Sequence, residues 1–350
     1  MSRTLTSAND LIADGLAPPE AREALSAVGA RYAIAVSPAI AALIDRNNSD
    51  DPVARQFIPD ARELETRAEE LADPIGDDAH SPVGGIVHRY PDRALLKIVT
   101  VCPVYCRFCF RRETVGAEGS GLLAPEALAK AIDYIRAHEE IWEVILTGGD
   151  PLALSARRLN AVMQALAKIP HVKIVRFHTR VPMVAPERIT AALVKAIKVP
   201  GKTAYVAIHA NHAREFGPAA RVAIARLADA GIPLVSQSVL LKGVNDSVEA
   251  LSDLMRCFVE SRIKPYHLNH ADLAPGTAHF RTSIAEGQDL MRALRGKISG
   301  LCQPHYVLDI PGGHGKSPIG PNYLSEDQRR ISDYCGGIHE LAPESRADGR

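Results

Sequence analysis

Cys102, Cys106 and Cys109 stand in one short segment at CxxxCxxC spacing, directly after the apolar run 94–101. A strand ending in such a loop sets three thiolates on one arc, and thiolates are the ligands of iron–sulfur clusters. A cubane cluster ordinarily takes four protein ligands. Three close cysteines without an evident fourth leave one iron for another ligand. The competing readings are a zinc site, which usually wants four ligands in paired CxxC units, and buried free thiols. Cys257, Cys302 and Cys335 are scattered and read as ordinary thiols.

Two glycine-rich turns come next. Gly148-Gly149-Asp150-Pro151 is a tight turn with an acid at its tip, where backbone carbonyls and the carboxylate can accept from an ammonium group. In 311–318, PGGHGKSP, glycines flank Lys316. The segment is not a Walker A loop, because Ile310 stands where the first glycine is required. A lysine so placed can bond covalently to an aldehyde cofactor or can simply be solvated on a turn. Arg89 and Arg93 flank Tyr90 in HRYPDR and suit a phosphate. Arg111 follows the cysteines and can grip a carboxylate. Asp272 and Asp309, far apart in sequence, can together hold an ammonium group.

These residues need elements to bring them together. Residues 1–72 read as short helices: Ser7 caps one, Pro18-Pro19 opens the next, Ser37-Pro38 opens a third, and Leu64, Ala68 and Leu71 have helical period. No chemistry is expected of this region. Residues 73–93, rich in Pro, Gly and Asp, read as a loop. Strands are then expected at 94–101, 142–147, 172–178, 203–209, 232–240, 263–269 and 305–310. Helices are expected at 125–138, 155–168, 186–197, 218–230, 247–261 and 283–297. Six βα units and one further strand predict an α/β fold, an incomplete TIM-like barrel over 73–310 behind an N-terminal helical region. A C-terminal segment, 311–350, carries Lys316. Reactive groups of such barrels sit beyond the C-terminal ends of the strands, and the cysteine loop, the GGD turn, His178, Arg180, His209, Gln237, Asp272 and Asp309 all fall there.

The CxxxCxΦC loop, with Phe108 as the aromatic, is similar to that of radical S-adenosylmethionine enzymes, and the GGD turn resembles their element for the methionyl amino group. More narrowly, HRYPDR, CRFCFRR, LTGGDP, IPHVKIVRFHTR, QSVLLKGVND, HFRT and PGGHGKSPIGPNY resemble the lysine 2,3-aminomutase family across residues 73–323. The resemblance implies a partial (β/α)6 barrel of the radical S-adenosylmethionine type. It implies an isomerase that moves the α-amino group of L-lysine from C2 to C3, giving β-lysine through a 5′-deoxyadenosyl radical. Arginine, or a lysine side chain of elongation factor P, is the alternative substrate. The implied cofactors are a 4Fe–4S cluster on Cys102, Cys106 and Cys109, S-adenosylmethionine, and pyridoxal 5′-phosphate on Lys316. Gly148, Gly149, Asp150, His209 and Gln237 match the S-adenosylmethionine site, and Arg89, Tyr90 and Arg93 match the phosphate site. Arg111 matches the grip on the substrate carboxylate, and Asp272 and Asp309 match the acidic pair for its distal ammonium. A flavodoxin or ferredoxin is the implied electron donor. Longer members bind zinc between subunits. Ser247 stands where their internal cysteine would lie, and the tail has the single Cys335, so a homo-oligomer without that zinc is expected.

Composition bounds the rest. The 350 residues carry 41 Lys+Arg and 41 Asp+Glu, which gives no basis for nucleic-acid or membrane-surface binding. No apolar run reaches the length of a membrane span and the N-terminus has no apolar signal core, so a cytoplasmic protein is expected.

Overall fold

Alternation within the strands decides which side chains face the centre of the sheet. In the strand Arg93–Val99, Ala94, Leu96 and Ile98 are buried and Arg93, Leu95 and Lys97 are half-open. The same two-residue period sets Val175 and Phe177 apart from Arg176 and His178 in Ile174–Thr179. The apolar rows join one core with Ile132 and Ile135 of helix Pro125–Ala137 and with Leu159 and Met163 of helix Ala156–Ala167. The polar rows are left to line the interior.

The computed structural model describes residues 3–116 and 121–341. Its main sheet has nine strands in sequential order: β1 (Ile86–Tyr90), β2 (Arg93–Val99), β3 (Glu143–Gly148), β4 (Ile174–Thr179), β5 (Thr203–His209), β6 (Leu234–Val239), β7 (Lys264–Asn269), β8 (His305–Ile310) and β9 (Gly315–Pro318). Strands β2 to β8 are parallel, and β1 and β9 run antiparallel at the two edges. The expected seven strands and six helical crossovers are therefore present. Among the described residues, no helix is long and apolar enough to cross a membrane.

Four local readings change. The segment read as a loop before the first barrel strand contains β1, which turns at Pro91-Asp92 and pairs back on β2. The motif PGGHGKSP likewise contains β9, hairpinned onto β8 so that Asp309 stands opposite Lys316. Gly, Pro and Asp around both strands masked them, because the ladder is supplied by distant backbone. The period of Leu64, Ala68 and Leu71 does not make a helix: a 3₁₀ turn ends at Leu64, and both leucines are exposed. The helix expected at 186–197 begins at Ala191, where Thr190 caps it.

The two sheet edges meet without forming a ladder. The Lys316 N–H donates to Tyr90 Oη at 2.6 Å, and His80 Nε2 lies 2.9 Å from the Gly313 carbonyl. Gly76, at φ +67°, lies so close that a Cβ there would sit 2.3 Å from Gly313 N, an approach only glycine permits. The N-terminal helices Ala8–Ala13, Pro38–Ala41 and Ala54–Phe57 share the main core through Leu11, Ile40 and Phe57. Of the expected C-terminal segment, 342–350 lies outside the described residues.

Candidate active site

The cysteine loop is held from three directions. Its Tyr105 and Arg107 N–H groups donate to the carbonyls of Ala35 and Gln56 in the N-terminal region, at 3.1 and 2.8 Å. Arg107 and Arg112 converge on the fully buried Glu63, with Arg107 forking across both carboxylate oxygens at 2.6–3.1 Å. The N-terminal region, of which no chemistry was expected, supplies the counter-charge of the cysteine loop. The third support is the GGD turn: the N–H groups of Gly149 and Asp150 donate to Val99 and Val101, at 2.5 and 3.0 Å. A Cβ at Gly149 would lie 2.3 Å from Val101 O, so this close seam needs a glycine.

Cys102, Cys106 and Cys109 line one small pocket with Tyr32, Tyr105 and Arg112. Burial, then Asp150 and the other two cysteines, raises Cys102 well above the ordinary thiol range, and burial followed by Cys106 pushes Cys109 up to about 11. Ionising them together calls for a cationic partner, which bound iron supplies. Among the described residues, no three His, Cys, Asp or Glu side chains close on one point as a lone metal ion requires. Thiols spaced around a pocket suit a polynuclear cluster instead.

Asp150 is not an open acid. Its carboxylate accepts from Thr179 Oγ1 at 2.7 Å and from the N–H groups of Leu152, Arg180 and Val181 at 3.0, 2.7 and 3.2 Å. It ties the GGD turn to the end of β4, which leaves the backbone of Gly148 and Gly149 as the part of the turn able to meet a ligand. His209 packs against Phe108, with ring centroids 5.7 Å apart, and its buried Nε2 has no protein partner among the described residues. Burial, then Arg180, lowers its pKa to about 3, so the ring is neutral. Gln237 stands in register between His209 and His267 on neighbouring strands. The buried His178 Nε2 and His267 Nδ1 also lack partners. Orphaned ring nitrogens on β4, β5 and β7 fit a mouth built round bound groups.

Lys316 closes the other side. Its Nζ pairs with Asp309 and donates to Asn269 Oδ1 at 2.9 Å. Arg93 lies over the Tyr90 ring, 3.8 Å from its centroid. Arg89 donates to the Ile75 carbonyl at 2.6 Å and leaves its buried Nε unpaired. A lysine with cations and orphaned nitrogens about it fits a phosphorylated aldehyde. Asp272 has no donor among the described contacts. Burial, then Asp309, raises its pKa to about 7, against the pull of Lys316 and Arg111. Arg111 pairs with Asp77 and points Nη1 toward Thr147 Oγ1 at 3.4 Å.

The structure sets the cysteine loop, the GGD turn, His209, Gln237 and Asp309 at or near the C-terminal ends of the parallel strands, whereas Arg93 opens β2 at the other end. It adds Asp77, Asn269, Glu63 and Glu215. Asn269 was within reach of strand periodicity, two residues beyond inward-facing His267. The three acids carried no local signal.

A family model described as the radical SAM superfamily matches residues 96–255, and one described as lysine-2,3-aminomutase matches residues 291–343. An L-lysine 2,3-aminomutase of Clostridium subterminale is 43% identical over 87% of this chain and 74% of its own length. The chain belongs to the lysine 2,3-aminomutase family. One from Acetoanaerobium sticklandii is 40% identical over 89% of this chain and 75% of its own. A glutamate 2,3-aminomutase of Clostridioides difficile is 36% identical over 93% of this chain and 78% of its own. The lysine 2,3-aminomutase family uses a 4Fe–4S cluster with S-adenosylmethionine, and pyridoxal 5′-phosphate. Ser247 in this member caps helix Val248–Glu260, its Oγ accepting from the Ala250 N–H at 3.1 Å.

Proposed function

We propose that this enzyme is an isomerase that converts L-lysine to β-lysine by moving the α-amino group from C2 to C3. The observation that carries the substrate is the acidic pair. Asp272 is half-buried, has no donor among the described residues and is held near neutrality by desolvation and by Asp309. Such a pair gains from an ammonium group and repels a carboxylate. That favours lysine over glutamate, although both kinds of relative are similar to this chain.

The residues divide the work by charge. Cys102, Cys106 and Cys109 would hold the cluster, and the Gly148–Gly149 backbone, His209 and Gln237 would receive S-adenosylmethionine. Asp150 would shape that site through the backbone it binds. Lys316 would hold pyridoxal 5′-phosphate, with Arg89, Tyr90 and Arg93 about its phosphate. When bound, these cofactors supply a carbon radical and a path for nitrogen between adjacent carbons. The chain's own part is position and exclusion of water. Arg111, backed by Asp77, offers Nη1 to the substrate carboxylate. Asp309 is paired with Lys316; with Lys316 turned to the aldehyde cofactor, Asp309 would be free to join Asp272 about the distal ammonium. Gripping the substrate at both ends fixes its C3.

Reduction of the cluster calls for a low-potential one-electron donor such as a flavodoxin or ferredoxin, and we place the enzyme in the cytoplasm as a homo-oligomer without an intersubunit zinc. The deciding experiment is anaerobic incubation with dithionite, S-adenosylmethionine, pyridoxal 5′-phosphate and L-lysine, followed by chiral analysis for β-lysine. Absence of β-lysine from protein loaded with cluster and pyridoxal 5′-phosphate would reject lysine as the substrate.

A further inference from the structure

Arg180 follows β4, and the roles proposed above leave it unused. Its Nη1 lies 2.9 Å from Cys106 Sγ. Its Nη2 donates to Glu215 Oε2 at 2.7 Å and also reaches Gln56 Oε1. The guanidinium is buried, set 4.5 Å from the Phe57 ring centroid and 5.4 Å from that of Phe108. Glu215 and Gln56 are fully buried. The second oxygen of Glu215 accepts from the N–H groups of Asn211 and His212 at 2.8 and 3.0 Å. The Arg180 backbone is fixed as well, by its N–H to Asp150 Oδ2 at 2.7 Å. Side chain and main chain are therefore pinned from opposite sides, with one N–H aimed at sulfur.

We propose that Arg180 is a positioning residue for the cluster, donating a charge-assisted hydrogen bond to the Cys106 ligand sulfur and so favouring the reduced cluster. The physics is direct. Reduction adds one electron to iron bound by thiolates, and hydrogen bonds to the ligand sulfurs stabilise the added charge. A guanidinium in a dry site acts more strongly than it would in water. Glu215 moderates the effect, because its carboxylate cancels part of the cation. Removing the cation and removing its counter-ion must therefore shift the potential in opposite directions, whereas a merely structural ion pair predicts no such opposition.

The inference rests on the cluster assignment made above, and its test does not use aminomutase activity. The protein is reconstituted anaerobically with iron and sulfide. Reduction by dithionite is followed by electron paramagnetic resonance against potential, in the parent, Arg180→Gln and Glu215→Gln. Arg180→Gln should disfavour the reduced cluster about tenfold, which is a midpoint about 59 mV lower for a one-electron couple. Glu215→Gln should move the midpoint upward. Parental midpoints in both variants, with parental iron content, would overturn the proposal. If Arg180→Gln does not retain its cluster, Glu215→Gln decides: an upward shift supports the proposal, and an unmoved or lowered midpoint ends it. A parent protein with no cluster signal refutes the cluster assignment itself and is thereby told apart from failure at Arg180.

Discussion

Arg111 reaches Asp77 through two nitrogens, Nε at 3.2 Å and Nη2 at 2.9 Å, and holds Nη1 apart toward Thr147. The same buried carboxylate takes Arg89 at 3.3 Å and Lys97 at 3.9 Å. Burial opposes ionisation of Asp77, but Arg111, then Lys97 and Arg89, outweigh it and hold its pKa below the ordinary value. One acid from the loop before β1 thus orders three cations at the mouth.

Asp77→Asn removes that order while keeping the shape. The three cations then repel one another without a counter-charge, and Arg111 loses its fixed orientation. Steady-state kinetics should show the KM for lysine raised about tenfold or more, equivalent to about 1.4 kcal/mol of binding. Loss of kcat with KM unchanged would contradict this role.

Asp272 gives a pH test with a definite sign. An unfolded aspartate ionises near about 3.9, whereas Asp272 in the fold keeps its proton to about 7. The folded state binds more protons across that window, so this group costs stability as pH rises through it. The stability of Asp272→Asn relative to the parent should increase from about pH 4 to about pH 7 and level off above. In the parent, KM for lysine should fall as pH rises through about 7, because the ionised carboxylate is the form that pairs with ammonium. The Asn variant should lack that fall, and an unchanged kcat/KM for lysine would reject the role.

Lys316→Ala should abolish both activity and the covalent pyridoxyl adduct trapped by borohydride. Mass spectrometry that finds the adduct elsewhere in the active variant would overturn the assignment. Removing the lysine also frees Asp309 from its partner. Two unpaired carboxyls then face each other, so the variant should be most stable in mild acid.

Glu63→Ala tests the support beneath the cysteine loop. It leaves Arg107 and Arg112 buried with no counter-ion, a change that costs roughly 3–5 kcal/mol. Denaturant unfolding should show that loss, and the variant should retain less iron after reconstitution. Glu63→Gln keeps the shape and should retain more of both.

The strand–helix alternation and the mouth of the barrel were legible in the chain because a two-residue period and a 3.6-residue period are local properties. The cysteine spacing and the glycines around Lys316 are local for the same reason. β1 and β9 were not legible, since an antiparallel edge strand exists only where a distant backbone pairs with it. Nor was the partnership of Asp77 with Arg111, of Glu63 with Arg107, or of Arg180 with Cys106. Charged side chains on a loop read as solvated until the fold removes water from them. Sequence alone determined which thiolates, carboxylates and cations this chain can offer a ligand, because residue type and spacing are local. Only the tertiary structure decided that Asp150 serves as a brace and Asp272 as the open acid. A carboxylate's role depends on how many donors the folded chain brings to it: among the described residues Asp150 receives four and Asp272 none.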